Sequence, residues 1–288
     1  MAGAGIKAIK TRMVSVESTK QITKAMELVA SSKLRKAKEK AESTEPYFDA
    51  LYDTVKDIAS STRVNNVFMK QREVKNRCYI VVAGDRGLAG GYNSNVLKET
   101  VNHMDGKKET VMTIGKKAYE FFSKRDYNVA GYIEAVEACT YADTSEISNK
   151  MMDLYKNGEV DEVYFVYTKF KSALVQEVKL IKLLPLVFED ETLEGTKEVK
   201  KIRSKVQYLP SPGSVLNYII PNYVTGVVYG GIIESFASEQ GARRTAMESA
   251  TDNANDMLSD LELSYNRARQ SAVTQEITEI VGGVNALK

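Results

Sequence analysis

The stretch IKAIKTRMVSVESTKQITKAMELVASSKLRKAK, residues 6–38, predicts a long helix with one apolar stripe. Its first apolar residues recur at alternating steps of three and four: Ile6, Ile9, Met13 and Val16. That spacing is typical of a coiled-coil seam. The stripe resumes with shifted phase at positions 22, 26 and 29, and again at 34, 37 and 41, so we expect a seam with interruptions. The helical pattern extends over 6–45, Pro46 is expected to bend or restart the helix, and an amphipathic pattern continues over 47–58.

The stretch 232–281 predicts a second long helix. Small residues dominate its expected seam, which consists of Ala250, Ala254, Met257, Leu261, Ser264, Ala268 and Ser271. Gly226, Gly230 and Gly231 argue against a helix before position 232, and the glycines at 282 and 283 are expected to end it. A helix of roughly 40 to 50 residues is about 60 to 75 Å long, which no ordinary core can bury. Each of these helices must therefore pair with another helix, reach into a partner protein, or do both.

The two predicted helices carry opposite charge. Residues 6–42 hold ten lysines and arginines against four glutamates, whereas residues 239–281 hold eight acidic residues against four arginines. Opposite charge favours pairing of these helices with each other, although an exposed ion pair contributes only about 0.2–1 kcal/mol. The whole chain has a formal net charge of +2, so its composition does not indicate a polyanion binder.

The middle of the chain predicts alternating strands and helices. Strands are expected at 77–83, 109–114, 127–129, 160–168 and 173–184, the last two as a hairpin, and helices at 95–104, 116–124 and 145–156. A charged loop is expected at 190–205. Such alternation is typical of a parallel, Rossmann-like sheet. We therefore expect an α/β fold in three parts: residues 1–58 and 211–288 as the helices of a coiled coil, and 75–210 as the central α/β domain.

The loop GDRGLAGGYNSN, residues 84–95, is the obvious place to look for nucleotide chemistry, because a glycine-rich turn between strand and helix can hold phosphate. It matches neither the P-loop nor the dinucleotide-binding pattern. A tight turn, or a contact loop that presents Asp85 and Arg86, is the favoured interpretation. A nucleotide-dependent enzyme built on the α/β domain stays open as an alternative, as does a coiled-coil scaffold unrelated to energy conversion.

The sequence gives little evidence for histidine-dependent catalysis, metal binding, nucleic-acid binding or a disulfide framework. His103 is the only histidine, it falls in a predicted surface helix, and the carboxylates show no metal-binding spacing, so no cofactor is expected. The basic first helix has no aromatic residues between positions 3 and 46, which argues against nucleic-acid binding. Cys78 and Cys139 do not form a disulfide scaffold. We expect neither a signal peptide nor a membrane-spanning segment.

Three stretches resemble one family. Residues 6–38, the loop at 84–95 and the segment SEQGARRTAMESATDNANDMLSDLELSYNRARQSAVTQEITEIVGGVNAL at 238–287 are similar, in order and spacing, to the gamma subunit of the bacterial F-type rotary ATP synthase. The resemblance implies a central-stalk rotor without catalytic activity of its own, present in one copy per complex. Its terminal helices would form an antiparallel coiled coil inside a ring of alpha and beta subunits. Its α/β domain would lie beside the epsilon subunit and the membrane c-ring, at the cytoplasmic face of the cell membrane.

The resemblance also implies roles for particular residues. Contacts with the beta subunit are expected at Lys24, Met26, Arg243, Arg269 and Gln270. Tyr208 would mark the foot near the c-ring, where Leu209 replaces a carboxylate that is frequent in the family. The cysteine-bearing insertion of the chloroplast form is absent, so thiol regulation is not expected.

Overall fold

The computed structural model describes residues 2–61, 66–172, 175–187 and 208–286. Its helices are α1 (Ala2–Ser61), α2 (Tyr92–His103), α3 (Lys116–Ser123), α4 (Tyr141–Lys156) and α5 (Pro212–Ala286). Its strands are β1 (Arg77–Val82), β2 (Thr110–Ile114), β3 (Asn128–Ile133), β4 (Glu162–Phe170) and β5 (Gln176–Leu184). Short 3₁₀ turns occupy Val67–Met69 and Val136–Ala138. The predicted loop at 190–205 lies outside the described residues.

The five strands form one sheet in the order β3-β2-β1-β4-β5. The strands β1 to β4 are parallel, and β5 pairs antiparallel with β4 at the edge. Helices α2, α3 and α4 supply the crossovers that parallel pairing requires. The predicted α/β fold is therefore confirmed, with a Rossmann-like first half.

Two hydrophobic layers cover the sheet. Ile80, Met112 and Phe165 lie fully buried in the layer that includes residues of α4 and α5. Tyr79 and Val81 alternate with Ile80 along β1 and belong to the other layer, with residues of α2 and α3. Because side chains alternate across a strand, a strand covered on both faces is a continuous apolar run, which explains the sequence RCYIVV.

Helix α5 begins at Pro212, twenty residues before position 232, so the argument from the glycines against a helix before that position is wrong. The glycines permit close packing instead of ending the helix. A Cβ atom at Gly226 would lie 2.6 Å from Cδ1 of Phe48, and one at Gly231 would lie 2.2 Å from Cε1 of Phe165. The aromatic rings occupy the space that side chains at these positions would need. Tertiary packing therefore outweighs the low helix propensity of glycine.

The alternative of a helix restart at Pro46 and the predicted helix end at the glycines 282 and 283 were also wrong. Helix α1 continues through Pro46 to Ser61, and α5 continues through Gly282 to Ala286. Beyond Pro46, Val55 and Ile58 are fully buried in the core of the α/β layer, and this burial offsets the hydrogen bond that proline removes. Gly282 has no neighbour within 4 Å of a would-be Cβ, so it is tolerated at a cost of about 1 kcal/mol.

The chain divides into two compact units, one formed by Met1–Ser32 with Arg243–Lys288 and the other by Lys33–Ala242. Both α1 and α5 contribute residues to both units. The second unit contains the sheet together with 33–61 and 212–242 of the long helices. The three-part division into 1–58, 75–210 and 211–288 stays a prediction.

In the first unit, α1 and α5 pair antiparallel. Thr23 contacts Thr251, whereas Met13, earlier in α1, lines one groove with Leu258, later in α5. The more buried positions keep an uninterrupted three-four spacing, at 6, 9, 13, 16, 20, 23, 27 and 30 in α1 and at 247, 251, 254, 258, 261, 265, 268 and 272 in α5. The predicted phase shifts in α1 are therefore wrong. Three of the seven predicted α5 seam positions are confirmed, and the other four lie one residue away from the observed seam.

The two adjacent glycines of α5 should respond oppositely to alanine. Gly231→Ala should lower the free energy of unfolding by about 1–3 kcal/mol, because its Cβ would overlap the buried Phe165 ring. Gly230→Ala is the matched control, since its Cβ would meet Phe48 at an ordinary 3.7 Å, and it should raise stability by up to about 1 kcal/mol through helix propensity. Urea unfolding of the full chain measures both changes. Equal effects of the two substitutions would contradict the close-packing role of Gly231.

Candidate functional site

The loop after β1 is held together by the carboxylate of Asp85. Its Oδ1 accepts a hydrogen bond from the backbone N–H of Lys116 at 3.1 Å, and its Oδ2 accepts one from that of Val136 at 2.9 Å. Asp85 thereby joins the loops that follow β1, β2 and β3. This structural role does not depend on a partner subunit, and the predicted contact through Asp85 stays a prediction.

Asn93 closes the same loop, a role that the sequence did not indicate. Its Oδ1 accepts a hydrogen bond from the backbone N–H of Gly84 at 2.8 Å, and its Nδ2 donates one to the carbonyl of Arg86 at 3.1 Å. Leu88 and Gly90 have positive φ values of 62° and 53°, so the chain turns sharply between them. The side chain of Arg86 remains exposed.

Helix α5 packs over the carboxyl ends of β1 and β4, where the strand order reverses. The hydroxyl of Ser235 accepts a hydrogen bond from the backbone N–H of Thr168 at 2.9 Å, and the hydroxyl of Ser238 donates one to the carbonyl of Thr168 at 3.1 Å. Open α/β sheets bind their ligands in the crevice at this topological switch point. In this chain the crevice is therefore covered by α5.

The carboxylate of Glu239 lies directly against Gly84, the first residue of the glycine-rich loop. A Cβ atom at Gly84 would lie 2.7 Å from Cδ of Glu239, and Glu239 is only 4% exposed. A nucleotide phosphate would have to approach the loop where this carboxylate already lies, and like charges repel at such distances. The arrangement disfavours the alternative of a nucleotide-dependent enzyme. Among the described residues no cluster of three or more metal-ligating side chains could hold an ion.

A network of charges lies at the opposite, amino edge of the sheet. Arg77 of β1 forms ion pairs with Asp105, with Glu109 at 3.5 Å and with Glu162 of β4 at 3.3 Å.

Glu162 also pairs with Lys182 of β5 and accepts a hydrogen bond from the hydroxyl of Tyr164 at 3.0 Å. The network links β1, β4 and β5. His103 lies beside it, with Nδ1 3.0 Å from the Tyr79 hydroxyl.

The two glutamates of this network have opposite pKa shifts. Burial raises the pKa of Glu109, and the hydrogen bond from the backbone of Asp105 and the charge of Arg77 offset this only in part. Burial also opposes ionisation of Glu162, but hydrogen bonds from Lys182, Tyr164 and Arg77 outweigh it and hold its pKa below the ordinary value. Glu162 is therefore the charged centre of the network.

The predicted beta-subunit contacts fall into two groups along the first unit. Lys24, paired with Glu27 at 3.0 Å, and the half-buried Met26 lie next to Thr23, while Arg243 lies two turns before Thr251 and is buried. Arg269 and Gln270 are exposed. Arg269 lies about 27 Å beyond Thr251 along α5, at 1.5 Å per residue. No observation here tests these contacts, so they stay predictions.

Tyr208, the predicted foot residue, belongs to the second unit. It is half-buried and packs against the hydrophobic core on the α5 side of the sheet, and the neighbouring Leu209 is 75% exposed. Its contact with a c-ring also stays a prediction.

Comparison with known proteins identifies the family. A family model described as ATP synthase matches residues 5–287. The ATP synthase gamma chain of Alkaliphilus metalliredigens is 50% identical over 290 residues, which cover 99% of this chain and 100% of that protein. This chain belongs to the ATP synthase gamma chain family. The sodium ion specific ATP synthase gamma chain of Acetobacterium woodii is 48% identical over 297 residues, which cover 98% of each chain.

Solved structures share the fold of this gamma-family chain. A chain of the Euglena gracilis mitochondrial ATP synthase rotor aligns with a TM-score of 0.67 at 18% identity, covering 94% of this chain and 99% of that one. A chain from the OSCP/F1/c-ring assembly of the same enzyme aligns with a TM-score of 0.71 at 16% identity, covering 99% and 95%. Within the described ranges, no helix of this gamma-family chain is both long and apolar enough to span a bilayer.

The threonine pair should behave as a coupled unit. The Oγ1 atoms of Thr23 and Thr251 lie 2.8 Å apart in a buried part of the seam. Thr23→Val or Thr251→Val alone should cost about 1–2 kcal/mol, because each leaves one buried hydroxyl without its cross-helix partner. The double variant should cost less than the sum of the two. A double-mutant cycle by thermal unfolding measures the coupling, and strictly additive effects would show that the pair is not energetically linked.

The ionisation of Glu162 should make stability depend on pH. Because its folded-state pKa is below the ordinary value of 4.5, its contribution is fully present above about pH 4.5 and is lost as the pH falls through the folded-state pKa. Glu162→Gln should destabilise the chain by about 1–3 kcal/mol at neutral pH, and the difference from the unmodified chain should narrow in acid. Urea unfolding across the pH range measures this difference, with Glu99→Gln, at an exposed position of α2, as the control. A gap that stays constant in acid would contradict this assignment.

Proposed function

We propose that this chain is the central-stalk rotor subunit of a membrane ATP synthase, and that it transmits torque between an ion-driven c-ring and catalytic beta subunits for ATP synthesis or hydrolysis. Membership of the gamma chain family, at 50% identity over nearly the whole chain, is the observation that carries this proposal. The similar fold in the Euglena gracilis rotor supports it.

The residues of the first unit are consistent with a closely packed helix pair that rotates inside a ring of other subunits. Its seam contains small residues such as Ala30, Ala254 and Ala272, which let the two helices approach closely. Large apolar side chains face outward instead, among them Val14, Ile22, Leu28 and Val29, each more than half exposed. An outward apolar surface of this kind is typical of a helix pair that lies against other proteins. The alpha and beta subunits are the proposed surroundings.

We assign no bond chemistry to this chain. The carboxylate of Glu239 beside Gly84, and the cover that α5 provides over the strand ends, argue that the α/β domain serves as a structural body. Catalysis in the complex is assigned to the beta subunits. Allosteric coupling then requires that the rotor makes different contacts with each beta subunit in turn, which an asymmetric helix pair can do.

The proposed partners are the alpha and beta subunits, an epsilon subunit and the c-ring, with one copy of this chain per complex and no nucleic acid. Lys24, Met26, Arg243, Arg269 and Gln270 are the proposed contacts with beta. Tyr208 would lie at the foot on the c-ring, and the loop with Asp85 and Arg86 would be a further contact. The proposed location is peripheral, at the cytoplasmic face of the cell membrane.

A charge introduced at Met26 should impair coupling more than folding. Met26 is half-buried in the first unit, so Met26→Lys can extend its ammonium group to the surface while disturbing the proposed contact with beta. In reconstituted vesicles, ATP-driven ion pumping should fall several-fold relative to ATP hydrolysis. Val74→Lys, an exposed apolar position before β1, is the matched control and should couple normally. Normal coupling by Met26→Lys would remove Met26 from the contact.

The competing functions make different predictions. A nucleotide-dependent enzyme would hydrolyse ATP as the isolated chain, and appreciable turnover would overturn the assignment of a non-catalytic rotor. A scaffold unrelated to energy conversion would not assemble with catalytic subunits. The rotor proposal expects co-purification with alpha and beta and no turnover by the chain alone.

A further inference from the structure

A cavity of about 190 Å³ lies within the unit formed by Lys33–Ala242. Three segments line it: α1, the 3₁₀ turn after β3, and α5. We call it the lysine cavity, and its lining residues are Lys33, Lys36, Ala37, Lys40, Val136, Glu137, Cys139, Ile232, Ile233 and Phe236. Nothing in the proposed rotor function assigns a ligand to it.

The floor of the lysine cavity is apolar and rigidly held. Val136, Ile232 and Ile233 are each at most 5% exposed, and Cys139 is buried beside them. Val136 and Ile232 belong to the main hydrophobic core, so the floor does not depend on a ligand for its shape. Preformed, mostly apolar walls with a few polar groups are typical of small-molecule sites.

The rim of the cavity is cationic. Lys33, Lys36 and Lys40 recur at steps of three and four on α1 and therefore line one face of the helix. Glu137 is the only acidic lining residue, and it pairs with Lys33 at 2.5 Å. Lys40 lies over the ring of Tyr229 at 5.1 Å, and Lys36 forms no ion pair with any carboxylate in the described part of the chain. Two positive charges therefore remain without an anionic partner at the mouth.

The volume limits what can bind. Drug-sized ligands occupy pockets of about 300–1,000 Å³, whereas an apolar cavity of about 150 Å³ holds one benzene molecule. A cavity of about 190 Å³ thus accepts an apolar group the size of a phenyl ring or a short alkyl chain. Nucleotides are too large and too polar for it.

We propose that the lysine cavity binds a small monocarboxylate with an apolar body. The carboxylate lies between the ammonium groups of Lys36 and Lys40, and the apolar body covers Ile232, Ile233 and Phe236. Binding places the carboxylate beside the two unpaired ammonium groups at the rim and removes the apolar body of the ligand from water. The ligand would thereby join α1, α5 and the turn after β3.

The test uses 4-phenylbutyrate as the probe and the purified full chain with ¹³C-labelled isoleucine methyl groups. Ile232→Val and Ile233→Val assign the two floor signals. Titration should shift these two signals in a saturable manner and leave isoleucines that do not line the cavity, such as Ile6, unchanged. The primary amide of the probe has the same body without the charge, and inorganic phosphate has charge without the body, so both should bind much more weakly.

Charge variants with matched controls locate the anion. The double variant Lys36→Gln/Lys40→Gln should weaken binding about tenfold, as expected for loss of two partly exposed ionic contacts. Lys98→Gln/Lys150→Gln removes two exposed charges from α2 and α4 and should leave the affinity unchanged. Glu137→Gln should strengthen binding, because it releases Lys33 from its ion pair.

Each result of the titration either supports the proposed site or overturns it. Saturable shifts at Ile232 and Ile233 that need both the carboxylate and the two lysines support the site. Equal binding of the amide, an unchanged affinity in Lys36→Gln/Lys40→Gln, or shifts confined to other isoleucines would each overturn it. Thermal unfolding of each variant without probe verifies that it is folded.

Discussion

The packing of α5 on the carboxyl edge of the sheet is the interaction on which the rest of the structure depends. Gly231 lets the helix approach Phe165, and Ser235 and Ser238 bind both backbone groups of Thr168. The next residue, Glu239, lies against Gly84. The same contacts that fix the long helix to the sheet therefore fill the crevice that related folds use for nucleotides. In this chain α5 therefore occupies the crevice in which this fold commonly binds ligands.

The second constraint is the narrow seam of the first unit. Its middle is not apolar: Thr23 and Thr251 bind each other, and Lys20 and Glu27 occupy neighbouring seam positions. A seam of small and hydrogen-bonded residues gives less hydrophobic stabilisation than one of leucines, since less apolar area is buried. The large apolar residues Ile22 and Val29 point outward instead. The proposed ring of alpha and beta subunits would cover that outward surface.

The sequence predicted the sheet well because strands buried on both faces are continuous apolar runs, as in β1 and β4. It predicted β3 too short, since this edge strand is only half-buried and contains Gly131. The seam was partly wrong for a physical reason. A prediction based on hydrophobicity places Ile22 and Val29 in the seam. In the structure the smaller residues Thr23 and Ala30, one position further on, occupy the seam because they let the two helices approach closely. Gly226 and Gly231 argue against a helix in the sequence alone, because Phe48 and Phe165, which pack against them, are distant along the chain.

The residues that define the crevice and its loop were the least predictable. In the sequence Glu239 is indistinguishable from a solvated glutamate on a helix, because its contact with Gly84 depends on the tertiary fold. Asn93 is likewise indistinguishable from an ordinary turn residue. The sequence predicts that the loop presents Asp85, but its connection to the loops after β2 and β3 follows only from the parallel arrangement of the strands. The proposed beta contacts rest on family resemblance, and among them Lys24, Arg269 and Gln270 are exposed.

Rotation of this chain inside an assembled complex tests the central claim most directly. Cys78 and Cys139 are both buried, so a cysteine introduced by Lys150→Cys on the exposed face of α4 can be labelled selectively. A bead attached there, on a complex fixed through its beta subunits, reports the orientation of the chain during ATP hydrolysis. The account predicts unidirectional rotation that pauses once for each beta subunit in every turn. Continued hydrolysis with a stationary bead would contradict it.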